Sequence, residues 1–193
     1  MAEKPAEKAT AEKPAREIPP ERKASRQDTL TVDGRTITYT VTAETMHLPG
    51  EAPEDDGKAK AAVFFTSYVV PADDPATRPV TFCFNGGPGS SSVWLHMGAL
   101  GPKRVEVPDA GMPKPPPYSV VDNPEGLLDL TDLVFIDPVG TGFSDAVGEG
   151  KRAEYTQVVG DVTSISAFIE RWLTREGRWA SPKLLAGESY GTT

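Results

Sequence analysis

Apolar positions first become regular at Leu30, and from there the chain changes period. Leu30 and Val32, then Ile37, Tyr39 and Val41, alternate with polar residues on either side of Asp33-Gly34. That pattern predicts a β-hairpin closed by a two-residue turn. The β-branched and aromatic run from Ala62 to Val70 and a second from Pro79 to Phe84 predict two more strands. Leu133 to Ile136 is apolar without alternation and reads as a strand buried on both faces. Polar residues 51–60 predict a loop, and the prolines and glycine between Val107 and Pro117 forbid regular structure there. From Tyr155 to about Glu176 the period becomes helical. Val158, Val162, Ile165, Ile169 and Trp172 step by four, three, four and three, which places them on one helix face. Gly177 is the expected stop, and Lys183 to Ala186 is a further strand. A hairpin, several strands, a crossover helix and a final strand predict the first half of an α/β sheet.

Before Leu30 the pattern is different. Ala2-Glu3-Lys4-Pro5-Ala6 recurs as Ala11-Glu12-Lys13-Pro14-Ala15, and large apolar residues are scarce. Such a stretch buries too little surface to offset the entropy of ordering it, so residues 1–26 are read as a disordered, solvated tail and 27–193 as the folded domain.

Composition changes this picture little. With 38% hydrophobic residues, 19 prolines and 18 glycines, much of the chain is loop or tail. The net charge of −8 argues against a nucleic-acid partner, which requires a basic surface. One cysteine, Cys83, excludes an internal disulfide, and Phe82 and Phe84 beside it predict a buried strand thiol. No apolar run approaches the ~20 residues of a membrane-spanning helix, and the N-terminus lacks a signal-peptide pattern. The expectation is a cytoplasmic chain without a membrane partner; its oligomeric state is not legible.

The chemistry lies at two glycine-rich stretches. Gly187-Glu188-Ser189-Tyr190-Gly191 follows the short apolar run Leu184-Leu185-Ala186. This is the pattern of a nucleophile elbow, in which a tight strand-to-helix turn holds a serine hydroxyl exposed and the flanking glycines avoid collision. Phe84-Asn85-Gly86-Gly87-Pro88-Gly89 ends a predicted strand. Two consecutive glycines with a proline after them suit a loop that offers amides to a developing oxyanion. His47 near Pro49-Gly50 is read as a solvated loop residue, and His96 as a packing residue at the start of a helix. Neither is a base candidate, because on this fold acid and base follow the serine in the chain. Gly140-Thr141-Gly142 lacks the third glycine of a dinucleotide loop, and no metal-ligand cluster or cofactor fingerprint is present.

Three blocks in order resemble the serine carboxypeptidases, a family of α/β-hydrolases. They are Asn85-Gly86-Gly87-Pro88-Gly89-Ser90-Ser91 with Leu100-Gly101-Pro102, then Asp132 to Ser144 containing Asp137-Pro138-Val139-Gly140-Thr141-Gly142-Phe143-Ser144, then Gly187-Glu188-Ser189-Tyr190. The resemblance implies that Ser189 is the nucleophile, and that the amides of Gly87 and Tyr190 form the oxyanion hole. It also implies that Asn85, the Gly86 amide and Glu188 receive the terminal carboxylate of a peptide substrate. A carboxyl group meets a carboxylate best when one of the two is protonated, so peptide hydrolysis at acidic pH is implied. Three positions depart from the family. Ala99 stands where a glutamate is common, Cys83 where a tryptophan is common, and Ser90 in place of a cysteine. The residue that usually separates Asp137 from Pro138 is also missing. With only four residues after Ser189, the expectation is an N-terminal part without the triad Asp and His, inactive alone. The alternatives are an esterase or acyltransferase on the same scaffold, and a non-catalytic truncated or interaction chain.

Overall fold

The computed structural model describes residues 16–50, 52–55, 57–107 and 115–193. The low-complexity residues 1–15, the centre of the irregular stretch at 108–114, and positions 51 and 56 of the loop lie outside the described residues. The hairpin consists of β1 (Lys23–Val32) and β2 (Arg35–Pro49). They pair antiparallel from Val32 opposite Arg35 outward. Asp33 and Gly34 turn at φ 50° and 75°, the two left-handed positions of a type I′ turn. Next come β3 (Ala59–Val69), β4 (Val80–Phe84), the short β5 (Lys103–Val105) and β6 (Val120–Asp122), then β7 (Asp132–Ile136), β8 (Asp145–Ala146) and β9 (Lys183–Gly187). The main sheet runs β1-β2-β3-β7-β4-β9, with β8 also pairing β3, while β5 and β6 form a separate ribbon. β7, β4 and β9 are parallel, and β1, β2 and β3 alternate in direction. This is an α/β architecture.

Each face of the sheet carries its own apolar cluster. On one face Phe65, Val80, Phe82, Val134 and Ile136 pack with Phe168, Trp172 and Leu173 of helix α3 (Val158–Arg175). On the other, Leu30, Tyr39, Tyr68, Cys83, Leu133 and Phe135 pack with Leu128, Leu95 and Leu100. Leu95 ends the single helical turn α1 (Val93–Leu95), which passes into a π-helical turn over His96–Leu100. Strand alternation explains the division, since Phe82 and Cys83 are neighbours and face opposite ways. The buried Glu44 receives two hydrogen bonds from Arg175, at 2.7 and 3.0 Å, tying the end of α3 to β2.

Three expectations need correction. The composition predicts a tail up to residue 26, but β1 begins at Lys23, and Arg16 already bridges Gly148. Polar residues join an edge strand because its ladder is main-chain. Here β2 supplies that ladder, with a Ser25–Thr42 hydroxyl bond of 2.8 Å. The predicted helix from Tyr155 is broken into α2 (Arg152–Tyr155) and α3. Its buried side is Ser164, Phe168 and Trp172, whereas Val158 and Val162 are about half exposed at 49% and 51%. Finally, His47 lies in β2 rather than in a loop, with Nε2 2.8 Å from the Pro19 carbonyl.

Candidate active site

The parallel strands β4 and β9 are hydrogen-bonded neighbours, with Phe84 opposite Gly187. The loop after each therefore emerges at the same edge of the sheet, and residues more than a hundred positions apart meet there. After β9 the chain turns into a 3-10 helix at Ser189–Thr192. Ser189 itself is left-handed, at φ 55°, and exposed. A serine in this region is strained by roughly 1–2 kcal/mol, since its Cβ crowds the following carbonyl. Among the described residues the only other non-glycine with positive φ is Asp33 of the hairpin turn.

The glycines show how tightly the turn is wound. A Cβ on Gly187 would lie 2.0 Å from the Gly191 carbonyl oxygen. A Cβ on Gly86 would lie 2.4 Å from the Tyr190 amide nitrogen and 2.6 Å from the Glu188 carbonyl oxygen. The glycine loop thus rests directly on the elbow. Neither the Gly87 nor the Tyr190 amide has a backbone acceptor among the described residues, and Gly87 is exposed. The loop is closed by a 3.0 Å bond from the Ser90 amide to the Gly86 carbonyl.

Asn85 is buried, and its carboxamide is oriented by its neighbours. Oδ1 accepts the Leu95 amide at 3.0 Å, so Nδ2 faces the elbow and donates to Glu188 Oε2 at 3.2 Å. The six residues singled out in the sequence (Asn85, Gly86, Gly87, Glu188, Ser189 and Tyr190) are all brought together. The Leu95 amide that fixes Asn85 was not anticipated, and no local pattern announces it. Burial, then the nearby Asp161 carboxylate on α3, raise the Tyr190 hydroxyl above the ordinary tyrosine range. Beside the elbow, Val158, Val162 and Ile165 of α3 face Leu185 of β9 across an open apolar groove of 470 Å³. Leu185, on the sheet face that borders this groove, is 67% exposed.

The two histidines of the chain lie elsewhere. His96 stacks on Phe135, with centroids 4.5 Å apart, and its Nε2 is 2.6 Å from the Tyr68 hydroxyl. Burial lowers its pKa to about 4, so the ring is neutral near pH 7 and packed as expected. Cys83 is buried, and burial raises its thiol to about 12, which keeps it unreactive.

A mixed sheet whose parallel strands end in these two converging loops is the N-terminal part of an α/β-hydrolase. The chain belongs to the serine carboxypeptidase family, whose sequence profile matches residues 54–193. Relatives from Arabidopsis thaliana agree at low identity. Serine carboxypeptidase-like 26 is 26% identical over 155 residues, 75% of this chain and 30% of its own length. Serine carboxypeptidase-like 16 is 28% identical over 146 residues, 73% of this chain and 30% of its own length. Serine carboxypeptidase-like 44 is 33% identical over 144 residues, covering 70% and 26% respectively. The chain spans at most about 30% of the length of these relatives. No helix among the described residues is long and apolar enough to cross a membrane.

Proposed function

We propose that this chain supplies the nucleophile and the oxyanion-binding half of a serine-type carboxypeptidase acting on peptides with a free C-terminus. The observation that carries this reading is the contact of the Gly86–Gly87 loop with the Tyr190 amide, beside a left-handed, exposed Ser189. Ser189 Oγ attacks the scissile carbonyl carbon while its proton passes to a base. The carbonyl oxygen becomes an oxyanion that accepts the Gly87 and Tyr190 amides, each worth about 10²–10³ in rate. Collapse expels the amine, which takes the proton, and water then cleaves the seryl ester by the same route. Asn85 Nδ2, the Gly86 amide and Glu188 receive the substrate's carboxylate. In this reading the base and its acid partner belong to sequence outside these 193 residues, since His96 is tied to Tyr68 and His47 to Pro19. The chain alone is then inactive.

One observation favours a second reading. Ala99 occupies the place of a carboxylate-gripping glutamate, and its exposed position offers a substrate only a methyl group. An esterase or acyltransferase needs no such grip. The deciding experiment uses the intact protein that contains this chain, with matched free-acid and C-terminally amidated peptides, assayed by kcat/KM against pH. The carboxypeptidase predicts a free-acid advantage that is largest below neutrality, is smaller in Glu188→Gln, and disappears with all turnover in Ser189→Ala. Equal rates for the two peptides at every pH would leave the esterase or acyltransferase in its place.

A further inference from the structure

The glycine loop must be held at both ends if its amides are to point at one place. Its first end is fixed by β4 and by Asn85, but its second end, at Ser91-Ser92, follows no strand. What holds it is the turn after β7. Asp137 is buried; its Oδ1 accepts the Ser92 amide at 2.9 Å, and its Oδ2 accepts the Phe143 amide at 3.3 Å. Ser92 Oγ donates to the Ile136 carbonyl, and Ser144 Oγ donates to the Asp137 carbonyl at 2.7 Å while accepting the Phe64 amide at 2.7 Å. Gly142, at φ 50°, passes so close that a Cβ there would lie 1.9 Å from Oδ2 and 2.9 Å from the Ser91 Cβ.

From this geometry we infer that Asp137 is a positioning residue for the oxyanion hole, its carboxylate clamping the end of the glycine loop to the turn after β7. The inference rests on the hydrolase reading above. It explains why a carboxylate is buried here at all. Two amide N–H groups converge from opposite sides, and only a side chain with two acceptor oxygens and no donor satisfies both. Asparagine has the same shape, but it would turn an NH₂ group toward one of the amides. Burial raises the Asp137 carboxyl, and the two amides counter that rise. The closed turn between Gly86 and Ser90 makes the loop short and stiff, so a shift at Ser92 is passed to the Gly87 amide.

The test uses the intact protein and two perturbations that reach the clamp from opposite sides, Asp137→Asn and Gly142→Ala. Both should lower kcat by about 10²-fold, the cost of an ångström-scale misplacement, with KM within about twofold. The affinity for a peptidyl boronate, which forms a tetrahedral adduct on the serine, should fall by the same factor as kcat/KM. A purely structural role would lower thermal stability while leaving boronate affinity and kcat together near wild type, and that result overturns the proposal. Hydrogen exchange on the wild-type protein gives a readout independent of turnover and of variant folding. The Ser92 and Phe143 amides should be protected, and rapid exchange at Ser92 also overturns the clamp. If the wild type hydrolyses neither peptides nor esters, the hydrolase reading fails, and protection at Ser92 with loss in Asp137→Asn still decides whether the clamp exists.

Discussion

The parallel strands β7, β4 and β9 treat polar groups in opposite ways at their two ends. At their N-terminal ends Asp132 is fully buried, yet every interaction it needs is present. Its Oδ1 accepts Arg78 Nε at 2.7 Å and the Val70 amide at 2.9 Å, and its Oδ2 accepts Arg178 Nη1 at 2.6 Å. Arg178, itself buried, completes its set with Ser181 Oγ at 2.7 Å and the Arg78 carbonyl at 2.8 Å. At the C-terminal ends the Gly87 and Tyr190 amides have no backbone acceptor among the described residues, and Ser189 is held in a strained conformation. One end is saturated and unstrained; the other, though Asp137 and Asn85 are satisfied there, keeps two amides open and one residue strained. The contrast separates what stabilises the sheet from what the sheet is built to present.

The saturated end should show the largest effect when broken. Asp132→Ala leaves two guanidinium groups without a counter-charge, and a loss of about 3–5 kcal/mol in unfolding free energy is expected by denaturant titration. A loss below about 1 kcal/mol would mean that the cluster contributes nothing particular. At the unsaturated end, Gly86→Ala drives a methyl group into the Tyr190 amide. On the proposed hydrolase reading, turnover of the intact protein should fall about 10²–10³-fold, the value of one oxyanion donor, while the unfolding midpoint moves far less than in Asp132→Ala.

Acid should act through the layer behind the glycine loop, where His96 lies. Its folded pKa, about 4, is below its usual value of 6.5. Between those values the unfolded chain binds more protons, so stability rises with pH across the window and is lost as pH falls from 6.5 to 4. At roughly 1.4 kcal/mol per unit the total is about 3 kcal/mol. His96→Gln, which keeps a partner for the Tyr68 hydroxyl and does not titrate, should flatten that slope in pH-dependent unfolding. The smallest effect should be the most diagnostic. Ser189→Gly removes the left-handed strain and should raise stability by about 1 kcal/mol while abolishing turnover. A stability decrease would show that the turn is not a store of strain.

Local chemistry was readable in the sequence, and long-range pairing was not. Asp33-Gly34 specified its hairpin turn because the two left-handed positions demand such residues. Leu133 to Ile136 declared a doubly buried strand, and Gly187 and Gly191 declared the elbow, since each rule concerns neighbours in the chain. The placement of β7 between β3 and β4 has no local signal. Nor does the partnership of Arg178 with Asp132, 46 positions away, where an arginine after a helix stop reads as surface. The start of β1 has no apolar signal because main-chain pairing carries it, and the glycine after Pro49 suggests a loop at His47 where β2 still runs. On α3 the spacing identified a real helix and the part of its face, Ile165, Ile169 and Trp172, that packs on the core, but its first turns stand off the core. Val158 and Val162 face the open groove, while Phe168 and Trp172 fill the core.

The strand order also sets a schedule. As the chain leaves the ribosome, β3 and β4 emerge one after the other, yet they are not partners, since β7 must later slide between them. β4 is exposed on both edges until that insertion, and its glycine loop waits for Glu188, 103 residues beyond Asn85. Contacts that span such distances form late, because each closes a long loop before any interaction compensates it. The hairpin of β1 and β2 can form at once and β3 can join it; the edge formed by β4 and β9 is the last part of this chain to assemble. A nascent chain paused before β9 therefore displays β4 unpaired on one side, an edge open to pairing with another chain.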